Sequence, residues 1–280
     1  MKASVIFKRS LIILSFSLMA ATLFGQEQKS SSGYVPEVGQ QGKDVVWVPT
    51  PQELVNKMLE IAEVTPKDFV IDLGSGDGRT VITAAKLGAK ALGIEYNPDM
   101  VNLSRENAKR EGVTDKAEFI KADLYEADLS KATVITMFLL PEINLKLRPR
   151  LLDLKPGTRI VSNTFTMGDW EEDYKVTTEE NWNSWNTAYM WIIPAKVEGV
   201  WKLGNAELSL TQAYQMFRGT LSSGGKSLPV TEGRLRGDVV NFTINEDKYT
   251  GNVSNGTMKG TCTNSSKGTK SDWTATRTGN

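Results

Sequence analysis

The spacing of apolar residues changes character three times along the chain. An uncharged, mainly apolar run from Leu11 to Phe24 follows Lys2, Lys8 and Arg9 and gives way to polar Gln26 to Lys29. A basic flank, a short apolar stretch and a small residue at Gly25 are the layout of an export leader, and the run is short for a membrane span of ~20 residues. The expectation is a signal peptide over residues 1–25 and a flexible lead-in over 26–44, rich in Gln, Ser and Gly. An uncleaved leader acting as an anchor would also leave the rest of the chain outside the cytosol, because the basic flank stays inside.

From Thr50 onward, strand-like apolar runs alternate with helix-like spacing. Leu54, Val55, Met58, Leu59 and Ala62 form one helical face behind a Thr50–Glu53 capping box, with Pro51 at the first helical position and an end near Val64. Phe69–Leu73, Ala91–Glu95, Ala117–Lys121, Thr133–Leu140 and Thr158–Phe165 read as strands, with a closing pair near 174–178 and 187–193. Helices over Arg79–Leu87, Pro98–Arg110 and through Ile143, Leu147, Leu151 and Leu152 separate them. Such alternation predicts an α/β fold: a seven-stranded, mostly parallel sheet with helices on both faces, occupying residues 45–195.

After Pro194 the period drops to two. Leu208, Leu210, Tyr214 and Met216 are expected on one side, and Val240, Phe242 and Ile244 alternate with Asn241, Thr243 and Asn245. Asn255-Gly256 between Val253 and Met258 is a tight-hairpin signal. Residues 196–280 are therefore expected to form a small antiparallel β domain. Trp170, Trp182, Trp185 and Trp191 cluster before and within the closing strands, where they would seal the sheet edge against this domain or line an acceptor channel.

Charge and composition narrow the chemistry. Lys plus Arg and Asp plus Glu are equal at 33 each, so no long-range field gathers a nucleic acid or an anionic surface. With no histidine and one cysteine, a Ser-His-Asp or Cys-His nucleophile, an intramolecular disulfide and a histidine metal site are excluded. No metal is expected.

The candidate chemistry sits where the first strand meets the next helix, in Asp72-Leu-Gly-Ser-Gly-Asp-Gly-Arg79. Ligands of open α/β sheets bind at strand carboxyl ends, and glycines there let a ligand approach the backbone. The spacing is G-x-G-x-G, not the G-x-G-x-x-G of a dinucleotide loop. Asp72 and Asp77 would repel a pyrophosphate but suit an ammonium and a sulfonium. Glu95 closes the next strand, where a carboxylate can accept both hydroxyls of a ribose, and Asp123 follows the third, where it could meet an adenine amino group.

Residues 47–170 resemble the class I S-adenosylmethionine-dependent methyltransferases, and more narrowly the bacterial relatives of the FAM173-type protein-lysine methyltransferases. The matching stretches are Val48-Pro-Thr-Pro-Gln52, the loop from Asp72 to Arg79, Gly93-Ile-Glu-Tyr-Asn-Pro98, Asp123-Leu124, Phe138-Leu-Leu-Pro141, and Arg159 to Ser162 before Phe165. The resemblance implies a Rossmann-like sheet and S-adenosylmethionine as cofactor. Asp72, Gly74, Ser75 and Gly76 would hold its methionine part, Glu95 with Tyr96 the ribose, and Asp123 with Leu124 the adenine. The methyl group would be bordered by Phe138 to Pro141, with Phe138, Pro141, Glu142 and Asn144 as acceptor-site candidates.

Two functions follow as expectations. One is an exported or envelope-associated methyltransferase acting on a protein lysine amine, with the β domain docking an envelope or membrane-protein partner. The other is an exported, non-catalytic binding protein that keeps the fold and interacts through the β domain.

Overall fold

A computed structural model of the chain describes residues 33–179 and 185–278. The expected leader, residues 1–25, lies outside them, as does Trp182. The core strands β1 (Phe69–Leu73), β4 (Val134–Met137) and β5 (Arg159–Asn163) are buried almost throughout, as strands covered on both faces must be. They sit at the centre of a seven-stranded sheet of order β3-β2-β1-β4-β5-β7-β6. On one side lie β2 (Lys90–Glu95) and β3 (Ala117–Lys121), and on the other β6 (Tyr174–Thr177) and β7 (Thr187–Ile192). Strands β1 to β5 run parallel, whereas β7 enters antiparallel to both β5 and β6.

The period-two alternation of side chains sorts the core into two layers. Val70, Val134 and Val161 meet α1 (Gln52–Ile61), α2 (Arg79–Lys86) and α3 (Pro98–Arg110) through Leu54, Met58, Val81 and Val101. On the other face, Ile71, Ile135 and Ile160 meet α4 (Pro141–Leu151) through Ile143, Leu147 and Leu151. Strand order reverses between β1 and β4, which opens a crevice at their carboxyl ends.

Three local expectations change. Pro51, not Thr50, is the N-cap of α1 and no side chain caps it; Thr50 is instead buried, its hydroxyl accepting from Asn163 Nδ2 at 3.2 Å. Helix α1 ends at Ile61, short of Val64. Strand β4 stops at Met137 because Pro141 starts α4 with the extended Leu140 as its N-cap, so Phe138 to Leu140 form a rim instead of a strand end.

Residues 199–277 close into an eight-stranded antiparallel barrel. Its strands are β8 (Gly199–Leu203), β9 (Ala206–Ala213), β10 (Met216–Ser223), β11 (Lys226–Arg236), β12 (Val239–Ile244), β13 (Asp247–Ser254), β14 (Thr257–Asn264) and β15 (Lys270–Arg277), the last returning to β8. Closure leaves no unpaired edge. Trp201, Leu208, Leu210, Phe217, Val240, Phe242, Ile244 and Trp273 fill the interior. Tyr214 and Met216 do not continue the inward row: Tyr214 turns the chain with φ of 54°, and Met216 is exposed. Asn255-Gly256 makes the expected hairpin turn, both residues at positive φ between paired Val253 and Met258.

The barrel is bonded to the sheet domain. The buried Trp170 donates its Nε1 to Gln215 Oε1 at 2.8 Å, and Trp191 Nε1 donates to the Trp170 carbonyl at 2.8 Å. Arg234 reaches Asp173 at 2.9 Å, and Ala195 N–H bonds the Gly237 carbonyl at 2.8 Å. Trp170 and Trp191 are thus sealing residues. Trp185 instead packs edge-on against Phe138 at the rim.

Candidate functional site

The loop from Leu73 to Arg79 is held from three sides. Gly74 and Ser75 N–H both donate to the Ile94 carbonyl at the end of β2, at 2.9 and 3.1 Å, and Ser104 Oγ on α3 donates to the Gly76 carbonyl at 2.8 Å. Gly78 caps α2 with φ of 83°, where an added Cβ would lie 2.7 Å from Phe119. Only glycine suits that turn.

Around this loop opens a cleft of about 1040 Å³. Asp72, Gly74, Ser75, Gly76, Glu95, Tyr96, Asp123 and Leu124 all line it, with Phe138 and Leu139 at one end. The Glu95 carboxylate accepts Gly76 N–H at 3.0 Å and Asn97 N–H at 2.9 Å, which fixes its position. Each of its oxygens keeps a lone pair for a ligand. Asp72 is buried, and its Oδ1 accepts from Thr136 Oγ1 at 2.6 Å. Burial pushes its carboxyl up to about 7 despite the Thr136 bond, and the nearby charges of Asp77 and Glu95 add to the rise. Asp77 also lines the cleft, where it pairs with Arg79 at 2.6 Å, and Arg79 donates onward to the Thr50 carbonyl at 2.9 Å.

Residues 34–48, of which those up to 44 are expected to belong to a flexible lead-in, fold back over the cleft. Gly39 N–H donates to the Trp47 carbonyl and Trp47 N–H to the Gln40 carbonyl, at 2.8 and 2.9 Å, and Gln40 through Val48 line the cleft. Gln40 Nε2 also donates to Tyr34 Oη at 2.7 Å. Trp47 lies against the glycine loop so closely that a Cβ on Gly76 would be 2.5 Å from its Nε1. Lys43, at the tip, donates to Asp123 Oδ2 at 2.6 Å. That bond, with Tyr125 N–H on Oδ1 at 2.9 Å, holds the Asp123 carboxyl below its usual range. No sequence pattern announces Lys43 or Trp47 as cleft residues, because both act through a turn that brings them back onto residues far along the chain.

These residues fit S-adenosylmethionine on two structural grounds. Ser75 Oγ is buried without a hydrogen-bond partner in the wall of the cleft, an atom that a bound polar group would satisfy. Asp72 is a carboxyl that burial leaves partly protonated, and a cation bound beside it would favour the ionised form. Asp72, Ser75 and Gly76 would hold the methionine part, Glu95 and Tyr96 the ribose, and Asp123 and Leu124 the adenine. Among the described residues no cluster of carboxylates and cysteine stands close enough to hold a metal ion.

At the other end of the cleft, Phe138 stacks on Phe165 with centroids 6.1 Å apart and takes Trp185 edge-on at 5.6 Å. Phe165 owes its place to a tight turn: its N–H donates to the Asn163 carbonyl at 2.7 Å around Thr164, which sits at φ of 63°. A β-branched residue there is strained, and strain of this kind collects at functional sites. Asn144 is fully buried and donates to the Phe165 and Thr166 carbonyls at 3.3 Å each. It therefore positions the Phe165 loop and is not itself open to an acceptor. Pro141 and Glu142 are exposed in the first turn of α4, outside the cleft wall. Trp185 is one of the tryptophans expected to seal the sheet edge or line an acceptor channel, and it lies at the rim, whereas Phe165 joins the set only in three dimensions.

Residues 72–174 match the ANTKMT methyltransferase domain family. A protein-lysine N-methyltransferase of Saccharolobus islandicus is 43% identical over 163 residues, covering 57% of this chain and 96% of that protein. The adenine nucleotide translocase lysine N-methyltransferase of Mus musculus is 33% identical over 129 residues, covering 45% of this chain and 56% of that protein. Among solved structures, an RNA methyltransferase of Salinibacter ruber in complex with S-adenosyl-L-homocysteine is 50% identical, covering 54% of this chain and 96% of that one, with a TM-score of 0.51. The glycine loop, the acids at successive strand ends and a relative matched over nearly its whole length make this chain a member of the FAM173-type class I S-adenosylmethionine-dependent methyltransferases.

Proposed function

We propose that this methyltransferase acts on the amine of a protein lysine. The observation that carries the reading is the aromatic corner of Phe138, Phe165 and Trp185 at the end of the cofactor cleft. Bound S-adenosylmethionine supplies a methyl group already activated by its sulfonium. The chain's part is alignment and exclusion of water. Phe138 and Leu139 border the cleft where the methyl group would lie, and the aromatic faces suit the aliphatic stem of a lysine. An apolar mouth also disfavours the ammonium form, so the amine sheds its proton before reaching the donor. Support comes from the Saccharolobus relative, which is named for protein-lysine methylation.

A second reading is an RNA acceptor, because the Salinibacter relative is named an RNA methyltransferase and stacked aromatics also take an unstacked base. A net charge of zero and an acidic cleft weigh against a polyanion. Incubation with labelled methyl donor, poly-L-lysine and total cell extract decides between them. We expect label on poly-L-lysine and in protease-sensitive material; label removed only by ribonuclease overturns the lysine reading.

Phe165→Ala should raise KM for poly-L-lysine about tenfold, corresponding to ~1.4 kcal/mol of lost aromatic packing. The S-adenosylhomocysteine Kd should stay within about twofold. An equal loss on both sides would place Phe165 with the fold instead of the acceptor.

Cofactor binding should depend on pH through Asp72. In the free protein its carboxyl is half-protonated near pH 7, and the cofactor's α-ammonium favours the ionised form. Affinity for S-adenosylmethionine therefore falls as pH drops from 8 to 6, and binding at pH 7 releases about half a proton per site. Calorimetry in two buffers of different ionisation enthalpy measures that release; heats independent of buffer contradict it.

We further propose that residues 1–25 direct export and that the barrel contacts an envelope partner. A C-terminally tagged chain should then fractionate outside the cytosol, and recovery in the soluble cytosol with Met1 retained would reject this.

A further inference from the structure

We infer that Lys43 is a residue of the cofactor site: its ammonium lies on Asp123 at the adenine end of the cleft, latching residues 34–48 over it, and it must leave Asp123 for the nucleoside to enter. The inference rests on the cofactor placement above and adds a step to it.

Lys43 Nζ is 2.6 Å from Asp123 Oδ2 and 5.1 Å from the centroid of the Tyr96 ring. It thus spans Tyr96, placed beside the ribose, and Asp123, placed at the adenine, one following Glu95 at the end of β2 and the other just past the end of β3. The second Asp123 oxygen already accepts Tyr125 N–H. An adenine amino group directed at this carboxylate meets an ammonium already seated on Oδ2 and must compete with it for the same side of the group. Lys43 is also within 5.8 Å of the Tyr125 ring centroid, so two aromatic faces and a carboxylate form its berth. Asp44, 3.6 Å away, is a second and longer ion-pair partner, so Lys43 keeps a carboxylate beside it when it leaves Asp123.

The rest of the strap is built to move as a unit. The backbone bonds from Gly39 to Trp47, Trp47 to Gln40 and Gly42 to Val45 all lie within it. Val35, Val38 and Val46 are exposed on it, so its apolar anchoring rests on Val45 and Trp47 at its C-terminal end. Release of one partly exposed ion pair is a small step, because water solvates both partners once they separate. That makes the latch a gate and not a block.

Titration with S-adenosylhomocysteine tests this directly. The ligand has no net charge, so salt acts on the protein's own ion pair. Wild type should bind more tightly as sodium chloride rises from about 50 to about 500 mM. Lys43→Ala should bind about two- to fivefold tighter than wild type at low salt and lose that salt dependence. Adenosine should gain the same factor in the variant, whereas methionine, which reaches only the other end, should gain none. Trypsin cleavage after Lys43 should quicken when wild type is saturated with S-adenosylhomocysteine. If Lys43→Ala binds more weakly or equally well, or if the ligand protects Lys43 from trypsin, Lys43 clasps a bound nucleoside or is idle, and the latch is overturned. Equal binding by both proteins sinks the latch alone; no binding by either sinks the cofactor placement with it.

Discussion

Asp72→Asn should melt at a higher temperature than the wild type in the absence of cofactor, and should bind S-adenosylmethionine at least 100-fold more weakly. The reasoning starts from a buried acid whose folded carboxyl sits at about 7, against an ordinary value of 3.8. Between those values the folded protein holds a proton that the unfolded chain has released, so stability falls as pH rises from about 4 to 7 and then levels. At about 1.4 kcal/mol per pH unit, keeping the carboxylate ionised costs ~2–4 kcal/mol after allowance for relaxation. Asparagine keeps an oxygen for Thr136 Oγ1 and carries no charge to bury. The melting difference should therefore be near zero at pH 4, grow to several degrees by pH 7, and stay constant above it. Cofactor binding moves the other way, because the amide cannot neutralise an ammonium. Thermal scans across pH, with and without S-adenosylhomocysteine, check both halves. A wild type as stable as the variant at pH 8 would mean that Asp72 is solvated after all.

That trade-off explains why the cofactor end of the site can be read from the sequence. Asp72, Gly74, Gly76 and Glu95 sit on or beside strand ends, where the period-two pattern of a short apolar run fixes which residue emerges into the crevice. A buried charge costs stability and positive-φ turns suit few residues, so such positions stand out in a chain of otherwise ordinary composition. The acceptor end is less legible. Phe138, Phe165 and Trp185 come from three separate loops and meet only because a strained turn at Thr164 aims one of them at the next. Asn144 has the polarity of a site residue, yet the first turn of α4 buries it beneath the Phe165 loop, a distinction that depends on packing and not on spacing. The strap fails for a related reason. Gln, Ser and Gly carry little periodic signal, and nothing local shows that Lys43 has a partner 80 positions away.

Trp170→Ala should be the most damaging single change outside the cleft, with an expected cost of ~3–5 kcal/mol and a melting temperature lower by roughly 10 °C. Trp170 is 1% exposed. Its indole stacks on Tyr214 with centroids 5.6 Å apart and donates to Gln215, and its carbonyl receives Trp191 Nε1. Truncation opens a cavity between sheet and barrel and leaves the Gln215 side chain without its indole donor. The consequence extends to catalysis through residues 164–171. On the sheet side that segment is tied down by Asn144 and by Arg148, which donates to the Met167 carbonyl at 2.6 Å; on the barrel side Gln215 Nε2 holds the Glu171 carbonyl at 2.9 Å. The barrel thus braces the loop that carries Phe165. Trp170→Ala should raise KM for the acceptor several-fold while the S-adenosylhomocysteine Kd changes by less than about twofold, and scanning calorimetry should resolve two melting transitions where the wild type shows one. Gln215→Ala, which removes the hydrogen bond but keeps the indole, should show the same pattern at ~1–3 kcal/mol. A single unchanged transition in both variants would mean that barrel and sheet melt together for other reasons, and an unchanged acceptor KM would separate the barrel from the acceptor loop.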